Sequence, residues 1–289
     1  MAITAAMIKE LRERTGAGMM DCKNILVETN GDIDLAIKEL RKKGAAAAEK
    51  KAGRIAADGV IVCAENDLFG VIVEINCETD FVAKDDSFKK FAADVAEAVL
   101  NSDVTDVESL GSVAIGDMTV ETARQELITK IGENISVRRF EKISAGNGIV
   151  CSYLHGVRIG VLLHLNGGAK ELGHDIAMHI AASKPLCVSE EDMSQDELAK
   201  EKEIFIAQAS KSGKPADIIE KMIGGRMKKF LKENTLLGQP FVKNQEQTVG
   251  DLLKSSEASV EKMFRFEVGE GIEKKKDDFV AEVMAQAAS

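Results

Sequence analysis

The amino-acid sequence predicts an α+β protein. Its predicted parts are a small N-terminal three-helix domain, a core of two duplicated antiparallel-sheet-plus-helix subdomains, a projecting antiparallel helical hairpin and a C-terminal helix. Three observations favour this fold class. Apolar residues first recur at helical spacing, the period changes from Ala56 onward to apolar runs typical of strands, and a strand–strand–helix pattern then occurs a second time about ninety residues later.

The first segment predicts three short helices, over Ala5–Arg14, Met20–Thr29 and Ile33–Lys43. Thr4 is a residue type that caps helix N-termini. Gly44 is the type that commonly ends a helix, so we expect the third helix to stop there. Residues 45–53 are rich in Ala and Lys and predict a helical or extended linker. Met19 and Met20, beside a Gly-rich turn, suit a partner surface, although core filling is equally open.

The first strand–strand–helix unit follows the linker. Its predicted elements are the strands Val60–Cys63 and Gly70–Ile75 and the helix Phe88–Leu100. A hairpin is predicted because polar residues separate the two strands. After this unit we expect a helix over Val120–Ile131 and a strand over Ile135–Phe140.

The loop after the second strand carries Phe81 beside Asp80, a large ring next to a carboxylate in a segment expected at the surface. In one interpretation Phe81 folds back into its own core, while Thr79 or Asp80 caps a helical turn. In the other, Thr79, Asp80, Phe81 and Val82, here called the TDFV segment, insert into a partner protein.

The second strand–strand–helix unit helps to choose between these interpretations. It comprises the strands Gly148–Tyr153 and Ile159–Asn166 and the helix Leu172–Ala182. Where the first unit has Glu78–Phe81, this one has Gly167–Lys170. Both copies need a turn here, but only the first has an acid and an aromatic ring. The comparison favours a functional role for the TDFV segment.

The rest of the chain predicts further helices and one more strand. A helical pair, Glu197–Ser210 and Ala216–Lys232, is joined by the turn Ser212–Pro215. The chain is then expected to return to the sheet, with a short helix from Thr248 and a strand over Met263–Val268. A final amphipathic helix, Phe279–Ala287, follows a run of lysines, and it packs either on this chain or on a partner.

These elements predict five regions. They are an N-terminal partner-binding domain (1–53), core subdomain N with the TDFV segment (54–140), core subdomain C (141–183 and 233–270), the projecting helical hairpin (184–232) and a C-terminal helical module (271–289).

Composition argues against several classes of function. The formal net charge of −10, with 4% aromatic residues and no Trp, is unlike a protein that binds nucleic acid directly. Five scattered cysteines without a C-x-x-C pair favour a reducing compartment over a disulfide framework or a zinc site. With no signal sequence and no long apolar stretch, we expect a soluble cytoplasmic protein without membrane contact.

Motifs for catalysis or cofactor binding are missing from the sequence. No P-loop and no G-x-S-x-G elbow occur. His174 and His179 are five residues apart on a predicted helix and do not share a face, unlike a metal-binding pair. His155 lies at a predicted hairpin tip, where contact with a partner is expected. We therefore expect no enzyme activity, no metal and no cofactor.

Four motifs, spread in order along the chain, resemble the bacterial elongation factor Ts family. They are Leu11–Lys23 (LRERTGAGMMDCK), Thr79–Lys84 (TDFVAK), Ile176–Ala182 (IAMHIAA) and Arg265–Gly271 (RFEVGEG).

The resemblance implies a guanine-nucleotide exchange factor that binds elongation factor Tu with GDP and promotes GDP release, so that GTP can bind during translation elongation. It implies that Thr79, Asp80, Phe81 and Val82 dislodge the partner's Mg²⁺. It also implies that the N-terminal helices contact the partner's nucleotide-binding domain, while the second half of the core contacts another of its domains. The further expected partner contacts are Arg12, Met19, Met20 and His155.

Other functions stay open from the residues alone. A plain adaptor would bind its partner without regard to GDP, and a thiol-dependent transferase would depend on one cysteine. A homodimer or a heterotetramer, formed through the core or the helical hairpin, is also open.

Overall fold

The computed structural model describes residues 3–210 and 215–273. Its helices are α1 (Ala5–Thr15), α2 (Met19–Glu28), α3 (Ile33–Lys51), α4 (Asp80–Ala83), α5 (Asp86–Leu100), α6 (Val107–Leu110), α7 (Val120–Ile131), α8 (Lys170–Ser183), α9 (Gln195–Ser210), α10 (Ala216–Asn234) and α11 (Val249–Ser255). Its strands are β1 (Asp58–Glu65), β2 (Phe69–Cys77), β3 (Ala114–Ile115), β4 (Met118–Thr119), β5 (Ser136–Ser144), β6 (Ile149–His155), β7 (Ile159–Asn166), β8 (Pro240–Phe241), β9 (Asn244–Thr248) and β10 (Ser259–Glu267). The α+β prediction is confirmed.

The N-terminal helices form as the sequence indicates. The Thr4 hydroxyl accepts a hydrogen bond from the Met7 amide at 3.3 Å and caps α1. Gly16 ends α1 with a left-handed backbone, at φ 68°. The three helices bury a small common core, to which Leu11, Ile25 and Leu26 contribute fully buried side chains.

The third helix is longer than predicted, and Gly44 does not end it. Helix α3 runs on to Lys51, so most of the expected linker is helical. Gly44 is buried against α7, where an added Cβ would lie 3.1 Å from the Thr129 hydroxyl. Ala48 is also buried, in the core beneath the first sheet. The small residues allow α3 to approach α7 closely, which the sequence alone did not reveal.

Two three-stranded antiparallel sheets form the core. The first has the order β1-β2-β5 and the second has the order β10-β7-β6. In each sheet the second strand of a hairpin is central, and a strand that comes after the helices joins it from the other side. This shared order agrees with the duplication predicted from sequence.

The two sheets pack face to face through an apolar layer. Ile61 and Ile72 of the first sheet belong to the same buried cluster as Val150, Leu162 and Phe266. Glycines permit this close approach. A Cβ on Gly70 would lie 2.3 Å from Val150 Cγ1, and one on Gly160 would lie 2.4 Å from Ile61 Cγ2. Helices α5 and α7 share a buried cluster with the first sheet, and α8 and α11 share one with the second.

Parts of the second half depart from prediction. Residues 240–248 form a separate hairpin, β8–β9, which the sequence did not predict, before the expected helix α11 and strand β10. Strand β10 begins at Ser259 rather than at Met263. Within α8, His179 is buried. Its Nε2 hydrogen-bonds the Gln239 side chain and its Nδ1 accepts from the Val242 amide, so it holds residues 239–242 against α8. The hydrophobic pattern of the sequence does not predict polar contacts of this kind.

The helical hairpin contains α9 and α10 as predicted. The rings of Phe205 and Phe230 meet edge to face across the pair, with centroids 6.5 Å apart. Most of the predicted turn Ser212–Pro215 lies outside the described residues, as do the lysine run and the predicted helix Phe279–Ala287. In the part of the chain that is described, no helix combines the length and apolar character needed to cross a membrane.

A buried carboxylate joins the two sheets at one end. Glu74 of β2 is fully buried and accepts hydrogen bonds from Arg138 (2.9 Å), Arg139 (2.6 Å) and the Gly269 amide (2.8 Å). Arg138 also donates to the Glu270 carbonyl at 2.6 Å. Burial alone raises the pKa of Glu74, but the hydrogen bonds from Gly269 and the two arginines outweigh it, so this pKa lies below its ordinary value.

Replacing Glu74 by Gln is expected to lower the free energy of unfolding by about 3–5 kcal/mol, because two arginines lose their counter-charge. Urea unfolding measures this loss. As the control, Glu108→Gln on the exposed face of α6 should change the value by less than about 0.5 kcal/mol.

The same carboxylate predicts a pH dependence of stability. Because its folded-state pKa is depressed, its contribution is present above the unfolded pKa of about 4.3 and disappears as the pH falls through the lower folded value. Glu74→Gln should therefore weaken the decline in stability on acidification. Identical acid profiles for the two proteins would contradict this role.

Candidate partner-binding site

The TDFV segment forms a single helical turn directly after the central strand β2. The Thr79 hydroxyl caps α4 by accepting a hydrogen bond from the Val82 amide at 3.4 Å. Asp85 then caps α5 by accepting from the Ser87 and Phe88 amides, at 2.8 and 3.2 Å. Two N-caps in close succession therefore divide the expected loop into a short helix and a long one.

The turn separates outward from inward side chains. Val82 and Ala83 are buried in the core of the first sheet, whereas the Phe81 side chain is 81% exposed. The interpretation in which Phe81 folds into its own core is wrong, although its other half, a capping Thr79, is correct. An exposed ring on an anchored turn gives nothing to the core of this chain and is available to a partner.

An ion pair borders the exposed ring. Lys84 Nζ lies 2.6 Å from Asp80 Oδ2 and 6.0 Å from the centroid of the Phe81 ring. The hydrogen bond from Lys84 holds the pKa of Asp80 below its ordinary value, so this exposed carboxylate is ionised at neutral pH. The surface of the turn is thus one ring flanked by both signs of charge.

The Glu133 carboxylate, just after α7, holds the entry to the turn. It accepts hydrogen bonds from the amides of Glu78 (3.1 Å) and Thr79 (3.0 Å) and from the Thr79 hydroxyl (2.7 Å). In return, the Glu78 carboxylate accepts from the Asn134 amide at 2.6 Å. The two loops thus satisfy each other's backbone groups. The sequence does not predict these contacts, because the loops are more than fifty residues apart in the chain.

The same contacts reach the end of the N-terminal region. The side-chain amide of Asn134, which is buried, donates to the carbonyl oxygens of Arg54 (2.9 Å) and Ala52 (3.4 Å). The Arg54 guanidinium lies 3.5 Å from Glu78 Oε1. The chain that leaves α3 is therefore tied to the loops that hold the TDFV segment.

The other predicted partner contacts lie on separate elements and are exposed. Arg12 is on α1, and Met19 and Met20 on α2 are 60% and 62% exposed, so they are not core filler. Val27 on the same helix is exposed as well, and the sequence analysis did not single it out as a surface residue. His155 ends β6 at the hairpin tip, with its Nδ1 3.3 Å from the Tyr153 hydroxyl.

The cysteines are poor candidates for nucleophiles. All five are free thiols, and burial raises the pKa of each. The pKa values of Cys63 and Cys77 rise to about 12. Such thiols are protonated at neutral pH, whereas nucleophilic catalysis needs a thiolate. Across residues 3–210 and 215–273, no group of His, Cys, Asp and Glu side chains is placed to hold a metal ion.

Comparison with known proteins gives a consistent result. The family model described as Elongation factor TS matches residues 78–270. Elongation factor Ts of Methylococcus capsulatus is 60% identical over 291 residues, which cover 99% of each chain. The proteins of that name from Thioalkalivibrio sulfidiphilus and Idiomarina loihiensis are 58% and 52% identical, over 99% and 100% of this chain and 99% of their own lengths.

The exposure of Phe81 predicts a contrast with its neighbour Phe88, which is fully buried on α5. Phe81→Ala should leave the free energy of unfolding within about 0.5 kcal/mol of the unmodified protein. Phe88→Ala should lower it by about 3–5 kcal/mol, because it opens a cavity. Urea denaturation of the isolated proteins measures both values, and a large loss for Phe81→Ala would place that ring in the core.

Proposed function

This chain belongs to the elongation factor Ts family, and we propose that it is the guanine-nucleotide exchange factor for elongation factor Tu. Membership makes it a translation elongation factor. In the proposed reaction it binds elongation factor Tu in its GDP form, promotes GDP release by disturbing the Mg²⁺ and phosphate site, and leaves the site free for GTP. It works in the cytoplasm, with no cofactor of its own and without catalysing a covalent step.

One observation carries the proposal: Phe81 projects 81% exposed from a turn whose inner residues and entry are both held firmly. Mg²⁺ demands near-ideal octahedral geometry, and it bridges phosphate oxygens to protein and water ligands. A small displacement of its protein supports therefore weakens nucleotide binding strongly. We infer that the Phe81 ring enters between elements of the partner that support the metal, while Asp80 makes polar contacts beside it.

The second copy of the fold supports a special role for this turn. There the helix after the central strand, α8, begins at Lys170, whose ammonium pairs with Glu65 of the first sheet at 2.8 Å. This position thus serves an internal contact in the second copy. In the first copy the turn instead presents an exposed ring, which fits a surface kept for another molecule.

The Phe81 ring alone supplies only part of the free energy that couples binding of this protein to release of GDP. A 10⁴-fold weakening of GDP binding requires about 5.5 kcal/mol of differential binding. Full burial of Phe81 contributes about 1.5–3 kcal/mol. The remainder is assigned to a wide surface that includes Arg12, Met19, Met20 and His155.

In this proposal the predicted regions have separate tasks. Residues 1–53 and the TDFV region of residues 54–140 bind the partner's nucleotide-binding domain. Residues 141–183 and 233–270, with His155 at a hairpin tip, contact another of its domains. The exposure of Met19, Met20 and His155 fits partner contacts in both regions.

Release of a fluorescent GDP from elongation factor Tu tests the role of Phe81. The unmodified protein should accelerate release strongly, and Phe81→Ala should lose about tenfold to a hundredfold of the maximal rate, the equivalent of the lost ring burial. When Mg²⁺ is removed with EDTA, the difference between the two proteins should shrink, because the metal no longer needs to be displaced.

The matched control is Leu68→Ala, which removes an exposed apolar side chain (66% exposed) from the β1–β2 turn and should keep full activity. If a complex forms while release stays unchanged with the unmodified protein, the chain is an adaptor and the exchange function is wrong.

The methionine pair predicts a different kinetic effect. Met19→Ala combined with Met20→Ala should raise the factor concentration needed for half-maximal GDP release by about tenfold, because apolar contact with the partner is lost. The maximal rate should also fall, but by less than in Phe81→Ala, because the methionine pair supplies only a share of the differential binding. A titration of release rate against factor concentration separates the two quantities, and a loss confined to the maximal rate would contradict the assignment.

A further inference from the structure

The TDFV segment is too short to hold its own shape. Helix α4 spans only Asp80–Ala83, and a single turn is not stable as an isolated helix. Burial of Val82 and Ala83 fixes its inner side. The outer side, with Asp80 and Phe81, receives no support from the core. Its orientation therefore depends on what holds the entry to the turn.

Glu133 supplies that support. Both of its oxygens are used: Oε2 accepts from the amides of Glu78 and Thr79, and Oε1 accepts from the Thr79 hydroxyl. Because the Thr79 hydroxyl gives its proton to Glu133, its oxygen lone pairs are directed to the Val82 amide, where it caps α4. The carboxylate thereby fixes both the backbone before the turn and the cap of the turn.

The second copy of the fold lacks this device. Between β7 and α8 the chain passes through Gly167 and Gly168, and the N-cap residue Ala169 makes no side-chain capping bond. The fold can therefore join its central strand to the next helix without such a carboxylate. Support of this kind is present in the copy that carries the exposed ring, which indicates that it serves the ring more than the fold.

We propose that Glu133 is a positioning residue that presets the orientation of Phe81 before the partner binds. The proposal rests on the exchange function proposed above. A ring that is already oriented loses little conformational freedom on insertion. More of the free energy gained by its burial is therefore available to disturb the partner's metal site. The neighbouring hydrogen bonds of Glu78 and Asn134 also fix the position of the turn relative to the chain that leaves α3.

A four-protein cycle tests the proposal by the maximal rate of fluorescent GDP release from elongation factor Tu. The proteins are the unmodified chain, Glu133→Ala, Phe81→Ala and the double variant. Glu133→Ala should slow release about tenfold, because the ring is misplaced. In the Phe81→Ala background the same change should slow release less than twofold, since no ring remains to be positioned.

Two further sets of variants separate positioning from general stability. Glu108→Ala on exposed α6 should leave release unchanged. Thr79→Ser keeps the hydroxyl and should retain most of the rate, whereas Thr79→Val, similar in size but without the hydroxyl, should behave as Glu133→Ala does. In hydrogen-exchange measurements on the free proteins, residues 79–85 should exchange faster in Glu133→Ala and in Thr79→Val. They should not exchange faster in Glu108→Ala or in Thr79→Ser.

The outcomes are distinct. Equal slowing by Glu133→Ala with and without Phe81, or no slowing at all, overturns the positioning role while leaving the exchange function intact. Unchanged hydrogen exchange in residues 79–85 overturns it as well. If the unmodified protein itself does not accelerate GDP release, the exchange function is wrong, and the positioning role is wrong with it. If Glu133→Ala does not fold, the Thr79→Ser and Thr79→Val pair decides the question by the same measurements.

Discussion

The carboxylate of Glu74 must be satisfied inside the protein, because an ionised group without partners is costly to bury. Arg138 and Arg139 of β5, Asn76 of its own strand and the Gly269 amide after β10 together meet this need. The donors come from the first sheet and from the segment that follows β10 of the second, so the buried charge is satisfied when the two sheets are in their native arrangement. The Arg139 guanidinium also stacks on Phe266, 4.1 Å from the ring centroid, which closes the apolar layer between the sheets. This junction thus ties the first sheet to the chain that leaves the second.

A second junction holds the TDFV segment, which carries the proposed contact with the partner. Glu78, Glu133 and Asn134 exchange hydrogen bonds between the loop before α4 and the loop after α7, and they reach the chain that leaves α3. Both loops extend from strands of the first sheet, β2 and β5, whose pairing aligns Asn76 with Ser136. A surface ring such as Phe81 gains nothing from folding and needs a fixed support to act on a partner. The support is made from hydrogen bonds at the edge of the core, while the core itself is made from aliphatic side chains.

The two copies of the sheet topology differ where the central strand meets the next helix. Both copies pair a hairpin with a later strand, and both follow the central strand with a helix. In the first copy the junction of strand and helix contains an added turn, α4, with an exposed ring. In the second copy it contains glycines and an internal ion pair between Lys170 and Glu65. The fold determines where the junction lies, and the few residues within it determine what the surface can bind.

The sequence by itself determined the α+β class, most helix and strand positions and the position of the TDFV segment, because period, caps and turn residues act locally. The helix over Val120–Ile131, for example, has the bounds that its spacing predicted. Only the tertiary structure decided that α3 continues past Gly44, since that depends on close packing against Thr129 of α7. It also decided that Phe81 faces outward and that Glu133 holds the turn. These features depend on contacts between residues far apart in the chain, and a carboxylate in a loop gives no local sign of which distant backbone amides it will accept.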